Sequence, residues 1–343
     1  MRTKVTLKEL ALKAGLATST ASMALRNSPE LSRSTCLRVQ ELAKELDYTP
    51  NAAATKLATG KSGMIGLMYT RHGSAFNARI LEALDAWSYQ DGRYFNSLMT
   101  YSTRNRAEVL ERFMHQILQG RLVDGLILAS QVPSSTYIRE YQARRLPLVL
   151  LENFSDKAHS VYLDNVAGVQ AAVKYLVESG RRKIALVCGR LTPLPGVDPS
   201  RVSKDRFQAY RQAMESFGLA VPTKSIVEIT YHEPQEGREA LDQLMSRYPE
   251  MDAIFCSAGD NVAAGIHAQA QQRGLRMPDD IALVGFDDQP IAELLHPALT
   301  TVRQPFHLMA GKAWEILLAA MDQPDMELRS EMIAPELVIR QTA

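Results

Sequence analysis

Cysteine is scarce in this chain, and neither sign of charge dominates it. Its 343 residues include only Cys36, Cys188 and Cys256. Their spacing fits neither a disulfide framework nor a metal-ligand set, so each reads as a small buried apolar residue suited to a reducing cytoplasm. No run of about 18 or more apolar residues occurs, which excludes a membrane-spanning helix of ordinary length. The start is polar and helix-forming, so no signal peptide is expected. Enzyme motifs are also missing: there is no G-x-G-x-x-G, no P-loop, no nucleophile elbow and no H-E-x-x-H. The seven histidines are dispersed. His72, His232 and His296 fall near a possible crevice but have no evident acid-base partner. Neither catalysis nor a cofactor is expected.

What is present is concentrated at the start. Thr6-Leu7-Lys8-Glu9 is a capping box, in which a hydroxyl and a carboxylate satisfy early helix N–H groups reciprocally. The first helix runs to about Ala14, and Gly15 supplies the positive φ of a tight interhelical turn. A second short helix, about Thr18 to Leu25, stands where a groove-entering helix belongs. Ser32 caps a third helix ending near Leu46, with Leu37, Leu42, Ala43 and Leu46 as its apolar side. Residues 1–62 carry ten positive and five negative side chains, a net +5, while the whole chain is +1 and the remainder therefore −4. A basic helical head on a mildly acidic body points to nucleic acid more than to simple solubility.

Beyond residue 62, short apolar strands alternate with helix-length segments. Strands are expected at 65–69, 97–100, 125–129 and 147–151, then at 183–187, 252–256 and 281–286. Helices fall at 77–91, 104–119, 165–179, 203–217, 236–247 and 261–273. Repeated βα units imply parallel sheets covered on both faces. Two such series suggest two α/β lobes with a ligand crevice at the carboxyl ends of their strands.

In their order along the chain, several segments resemble the LacI (lactose repressor)/GalR family of bacterial transcription regulators. They are Val5–Ala11 with Ala14-Gly15, Leu46–Ala54, Leu163-Asp164-Asn165, Gly180–Ala185, Pro278–Asp288 and Pro297–Val302. The resemblance implies a helix-turn-helix head over 1–50, a hinge helix and linker over 51–62, and a core like that of periplasmic binding proteins over 63–343. It further implies discontinuous lobes, crossing near 163, 292 and 325. The first would hold about 63–163 plus 293–324, the second about 164–292 plus 325–343. A homodimer, or a tetramer, would hold a pseudo-palindromic operator from the cytoplasm, associated with the nucleoid, without a membrane partner.

The resemblance assigns Thr18, Ser19 and Met23 to base edges, where hydroxyls and a thioether can meet donors, acceptors and thymine methyls. Thr6, Leu7, Thr20, Ser22 and Arg26 complete the contacts of the head. Many relatives carry arginine at Met23 and serine at Ala17, so the operator half-site should differ from theirs. Met23 could instead face the core, but Ala21, Ala24 and Leu25 occupy the likelier inward face. The hinge contributes Asn51, Ala54, Lys56 and Leu57, the last as an apolar wedge between minor-groove base pairs. An ordinary linker helix is the alternative.

Effector contacts are implied at Ser74, Phe76, Asn77, Asp164, Arg206, Tyr231, Asp260 and Asp287. Arg206 offers a rigid donor fork, though a solvated cation beside Asp205 reads equally well. Asp287 follows a strand, but it or Asp288 could instead cap the segment beginning near Pro290. Tyr231 and Phe76 suit an apolar ligand face, or lobe core. Gly259 replaces an asparagine common in sugar-responsive relatives, and Arg190 and Arg201 bracket a proline-rich loop with the charge to recognise an anion. The expected effector is a small polar metabolite, a sugar or sugar derivative. The competing readings are a regulator controlled by a protein corepressor, a small-molecule receptor without a DNA role, and an enzyme. Leu57→Ala is expected to weaken specific operator binding while sparing much of the salt-sensitive nonspecific binding. Titrations of operator and random duplex at fixed salt check this, and unchanged specific affinity removes the wedge assignment.

Overall fold

The computed structural model describes residues 5–25, 27–28, 30–49, 60–92, 94, 97–193 and 200–343. The chain divides into two compact units, Met1–Ser62 and Gly63–Ala343.

In the first unit the capping box forms as the sequence dictates. The Glu9 N–H donates to Thr6 Oγ1 at 3.3 Å and the Thr6 N–H donates to Glu9 Oε2 at 2.7 Å. The helix Leu7–Ala14 ends at Gly15, whose φ of 66° is the left-handed conformation that the turn requires. Helices Thr18–Leu25 and Arg33–Glu45 follow, the latter started by Ser32 Oγ accepting from the Thr35 N–H at 3.2 Å. Leu10, Ala24, Cys36, Val39 and Ala43 make the core, and Leu42 and Leu46 pack against it. Leu37 does not join them. It is 48% exposed, because the buried stripe runs through positions 36, 39 and 43 and a neighbouring residue is turned about 100° away.

The second unit contains two six-stranded sheets. Its first strands are β1 (Ile65–Tyr69), β2 (Leu98–Ser102), β3 (Gly125–Ala129), β4 (Leu148–Leu151) and β5 (His159–Leu163). Then come β6 (Ile184–Gly189), β7 (Ile226–Ile229), β8 (Ala253–Cys256) and β9 (Ala282–Asp287). The last are β10 (Thr300–Arg303), β11 (Ser330–Ile333) and β12 (Glu336–Val338). One sheet has the order β11-β5-β4-β3-β1-β2 and the other β12-β10-β9-β8-β6-β7. All neighbours are parallel except β12 on β10. β1, β3, β4, β6, β8 and β9 are buried throughout, as strands covered by helices on both faces must be. In each sheet the order reverses beside its first strand, which opens a crevice at the carboxyl ends.

Pairing corrects two of the expected lobe crossings. β10 hydrogen-bonds to β9 and belongs to the second sheet, so that crossing lies between Arg303 and the helix Phe306–Asp322, not near 292. β11 pairs with β5 in the first sheet and β12 with β10 in the second, so the last crossing lies between 333 and 336, not near 325. Register across sequence-distant strands decides this, and local periodicity carries no information about it. The short strands β5, β7, β10, β11 and β12 were not anticipated; β5 includes His159 and Ser160, and β7 is an edge strand with alternating burial. All three cysteines are free and buried, as expected. No helix among the described residues is long and apolar enough to cross a membrane.

Helices Pro234–Arg247 and Asp260–Gln272 approach so closely that glycine is required at their contact. A Cβ on Gly265 would collide with the Pro234 carbonyl oxygen, and one on Gly237 with that of Val262. Both obstacles are backbone and cannot swing aside. Gly265→Ala is expected to cost about 1–3 kcal/mol or more. Urea unfolding measures it, and an unchanged midpoint would show that the helix pair separates freely.

Candidate functional site

The helix Thr18–Leu25 presents two distinct faces. Ala21 and Ala24 are fully buried, while Thr18 and Ser19 are exposed and Thr20, Ser22 and Met23 are half-buried. Met23 is not among the described residues of the head's apolar cluster. Leu7 does pack against that cluster, which leaves its backbone for any other contact. The Thr6 hydroxyl is committed to Glu9. Arg26, Asn51, Ala54, Lys56 and Leu57, and with them the hinge helix, lie outside the described residues.

In the second unit a cavity of about 600 Å³ opens at the carboxyl ends of both sheets. Thr70 to Asn77 follow β1, Ser130 follows β3 and Glu152 follows β4. From the second sheet come Tyr231 and His232 after β7, Ser257 to Gly259 after β8, and Asp287 and Gln289 at and beyond β9. Ser203 and Arg206 enter from the helix Arg201–Ser216.

Arg206 is the centre of the cavity's chemistry. It is only 6% exposed, and its guanidinium carbon lies 3.7 Å from the centroid of the Phe286 ring. Its Nε donates to Asn165 Oδ1 at 2.7 Å and its Nη1 to the Ser257 carbonyl at 2.8 Å. Nη2 is buried without a partner. The solvated alternative is thereby removed: Asp205 pairs with Arg201, at 3.5 Å. Burial lowers the pKa of Arg206, and the nearby charges of Asp287, Glu152 and Asp260 oppose that shift.

The acids respond in kind. Burial pushes Glu152 up to about 7, opposed by Arg206 and by the hydrogen bond from Ser130 Oγ to Oε2, and assisted by Asp287. Asp287 is raised by burial against the pull of Arg206, and its Oδ1 accepts from Gln304 Nε2 at 2.6 Å. Asp287 also has a φ of 104°, a strained conformation for a residue with a Cβ. Neither Asp287 nor Asp288 caps the helix Ile291–Leu294; Asp288 pairs instead with Arg303 at 2.6 Å and Arg340 at 2.7 Å.

Six of the eight expected effector residues line the cavity: Ser74, Phe76, Asn77, Arg206, Tyr231 and Asp287. Ser74 Oγ caps the helix Ala75–Asp91, and Asn77 spends its amide on Thr70 Oγ1 and the Arg71 carbonyl. Phe76 stands edge-on to Phe306 at 5.2 Å, and Tyr231 sits at the rim, 61% exposed. The other two do not reach the cavity. Asp164 caps the helix Asn165–Glu178, accepting from the Ala167 N–H at 2.9 Å. Asp260 is wholly buried behind the wall, where it accepts from Thr301 Oγ1 and the Gln289 N–H, each at 2.7 Å. Burial and Asp287 hold its pKa well above the usual range. Gly259 has a φ of 110°, and a Cβ there would stand 2.9 Å from Asp287 Oδ2, so a side chain at this position would be strained and would press on Asp287. Glu152, Ser130, Ser257 and Asn165 were missed. For Ser130, Glu152 and Ser257, the readable signal was a polar residue directly after an apolar strand.

Family models match both units: "Bacterial regulatory proteins, lacI family" over residues 6–51 and "Periplasmic binding protein-like domain" over 173–343. The HTH-type transcriptional repressor PurR of Klebsiella pneumoniae (strain 342) is 30% identical over 340 residues, covering 98% of this chain and 96% of that one. The chain belongs to the lacI family of bacterial regulatory proteins. It is a DNA-binding transcription regulator and not an enzyme. Among solved structures, the lac repressor dimer bound to operator and the anti-inducer ONPF matches this lacI-family chain at 25% identity. That match has a TM-score of 0.84 and covers 99% of each chain. The CelR–cellobiose complex has a similar fold at 24% identity and a TM-score of 0.71, covering 99% of this chain and 100% of that one.

The buried acid gives this lacI-family core a pH dependence of known sign. Glu152 sits above its ordinary value of 4.5, so the folded state holds its proton more tightly than the unfolded state. That contribution is complete below about pH 4.5 and is lost as pH rises through about 7. Glu152→Gln has no such proton to lose. Between about pH 5 and 8 the parent chain is therefore expected to lose on the order of 3 kcal/mol more stability than the variant. Asp260 and Asp287 leave a residual slope in both. Identical slopes in denaturant titrations would place Glu152 in a wetter setting.

Proposed function

We propose that this chain is a repressor whose operator affinity is set by a small polar metabolite, a sugar or sugar derivative, held between the two lobes. A homodimer in the bacterial cytoplasm would present two heads to a pseudo-palindromic site. Thr18, Ser19, Thr20, Ser22 and Met23 would face the major groove, with Leu57 as the minor-groove wedge of the hinge. The PurR relative is named a repressor, and the lac repressor structure is a dimer on its operator; both favour this reading.

The observation that carries the ligand half is Arg206 Nη2, a buried donor with no partner beside the cavity wall. Leaving a charged donor unsatisfied is costly, and a ligand oxygen would remove that cost. Because the cavity draws on both sheets, a ligand would bind better to one lobe arrangement than to another. Operator and effector affinities are then linked in both directions. Ser74, Phe76, Asn77, Tyr231 and Asp287 would add contacts around the ligand.

Binding-site selection with the purified chain, at fixed salt and with a metabolite panel, tests this. A palindrome whose occupancy shifts with one metabolite is expected, and the direction of the shift separates inducer from corepressor. Arg206→Ala should weaken that metabolite tenfold to a hundredfold, the value of about 1.5–3 kcal/mol for a charged hydrogen bond, with operator still bound. A palindrome indifferent to every metabolite would favour a protein corepressor. No enriched sequence would overturn the DNA reading.

A further inference from the structure

We propose that Glu152 determines the specificity of the cavity, admitting an uncharged polyhydroxylated ligand and excluding phosphorylated or carboxylated ones. This rests on the reading of the cavity as the effector site and adds the chemical class of the effector.

Glu152 is built into the wall. It is 7% exposed, its backbone sits at a φ of 72°, and its N–H donates to the Val161 carbonyl at 2.7 Å. Oε2 accepts from Ser130, and among the described residues no hydrogen bond to Oε1 is seen. Across the cavity, from the other lobe, stand Arg206 with its free Nη2 and the carboxyl group of Asp287. Two of the three Arg206 nitrogens are already bonded, and no described carboxylate forms an ion pair with it. An entering anion would therefore meet two acid groups and a single free N–H. Burial makes that repulsion stronger than it would be in water.

The other arginines do not change this balance. Of the arginines lining the cavity, Arg71 is bound to Glu233 at 3.0 Å and to the Tyr231 carbonyl at 2.9 Å, and Arg104 is at the exposed rim. Arg190 pairs with Glu228 and Thr192, and Arg201 with Asp205 and the Phe154 carbonyl. A hydroxyl group satisfies both sides of the gap, since it accepts from Nη2 and donates to a carboxylate oxygen. Thr70, Ser102, Ser203 and Ser257 add neutral donors and acceptors, and Phe76 offers an apolar surface to ring C–H groups.

The full-length protein is immobilised at pH 8, where Glu152 is mostly ionised and can only accept. It is exposed to a bacterial metabolite extract split on anion-exchange resin into neutral and retained fractions. Bound small molecules are released by heat and identified by mass spectrometry, for the parent and for Glu152→Gln. A neutral polyhydroxylated compound enriched by the parent, and recovered at least tenfold less by the variant, is expected. An enriched phosphate or carboxylate overturns the proposal but leaves the effector site standing. A neutral ligand without hydroxyl groups also overturns it, as does equal recovery by Glu152→Gln. Recovery of nothing from either fraction overturns the effector reading itself, and the proposal with it.

Discussion

The core is organised around a guanidinium buried among acids. Taking Arg206 out of water is expensive, and the surrounding residues are arranged to offset that cost. Phe286 stacks beneath it, and Asn165 and the Ser257 carbonyl accept from it. Asp287, Glu152 and Asp260 supply the opposing field. Their placement in turn dictates small residues nearby. Gly259 clears Asp287, and Gly285 leaves room for the Asp260 carboxyl group. Asp260 then ties the Gln289 backbone to Thr301 of β10, so the ends of neighbouring strands are fixed by one buried side chain.

Polar contacts also join the lobes around the cavity. Arg71, from the first, reaches the Tyr231 carbonyl and Glu233 of the second. Arg201, from the second, reaches the Phe154 carbonyl of the first at 3.0 Å and lies 5.5 Å from the centroid of its ring. Both contacts involve exposed or half-exposed side chains, where each is worth little alone. Holding the lobes together therefore falls mainly to the backbone crossings and to the apolar cluster that runs through residues of both sheets.

Much of this was legible in the residues. The capping box, the left-handed Gly15 and the alternating βα series report local chemistry, and local chemistry is what a sequence displays. The family resemblance located Arg206 and Asp287. It misplaced Asp164 and Asp260, because a polar residue at the head of a helix looks the same whether it faces a ligand, caps the helix or lies behind the wall. Leu37 failed for a similar reason: leucine is apolar on either side of a helix. The affiliation of β11 was beyond reach, since its partner β5 lies more than a hundred residues earlier, and that of β10 depends on pairing with β9 and β12 that local pattern does not display. Glu152 was readable in principle, as an acid directly after four buried residues of β4, but nothing local distinguished it from a turn residue.

The late strands have a consequence for how the chain is made. β11 completes the first sheet, β12 completes the second, and Thr342 bonds the Leu283 carbonyl of β9. On a ribosome, neither lobe can close its sheet until residues 330–342 have left the exit tunnel. The helical head, whose core lies between Leu10 and Ala43, has everything it needs some 280 residues of translation earlier. A ribosome stalled in the second half of the message would thus display a finished head on an unfinished core, with its apolar strands open to chaperones.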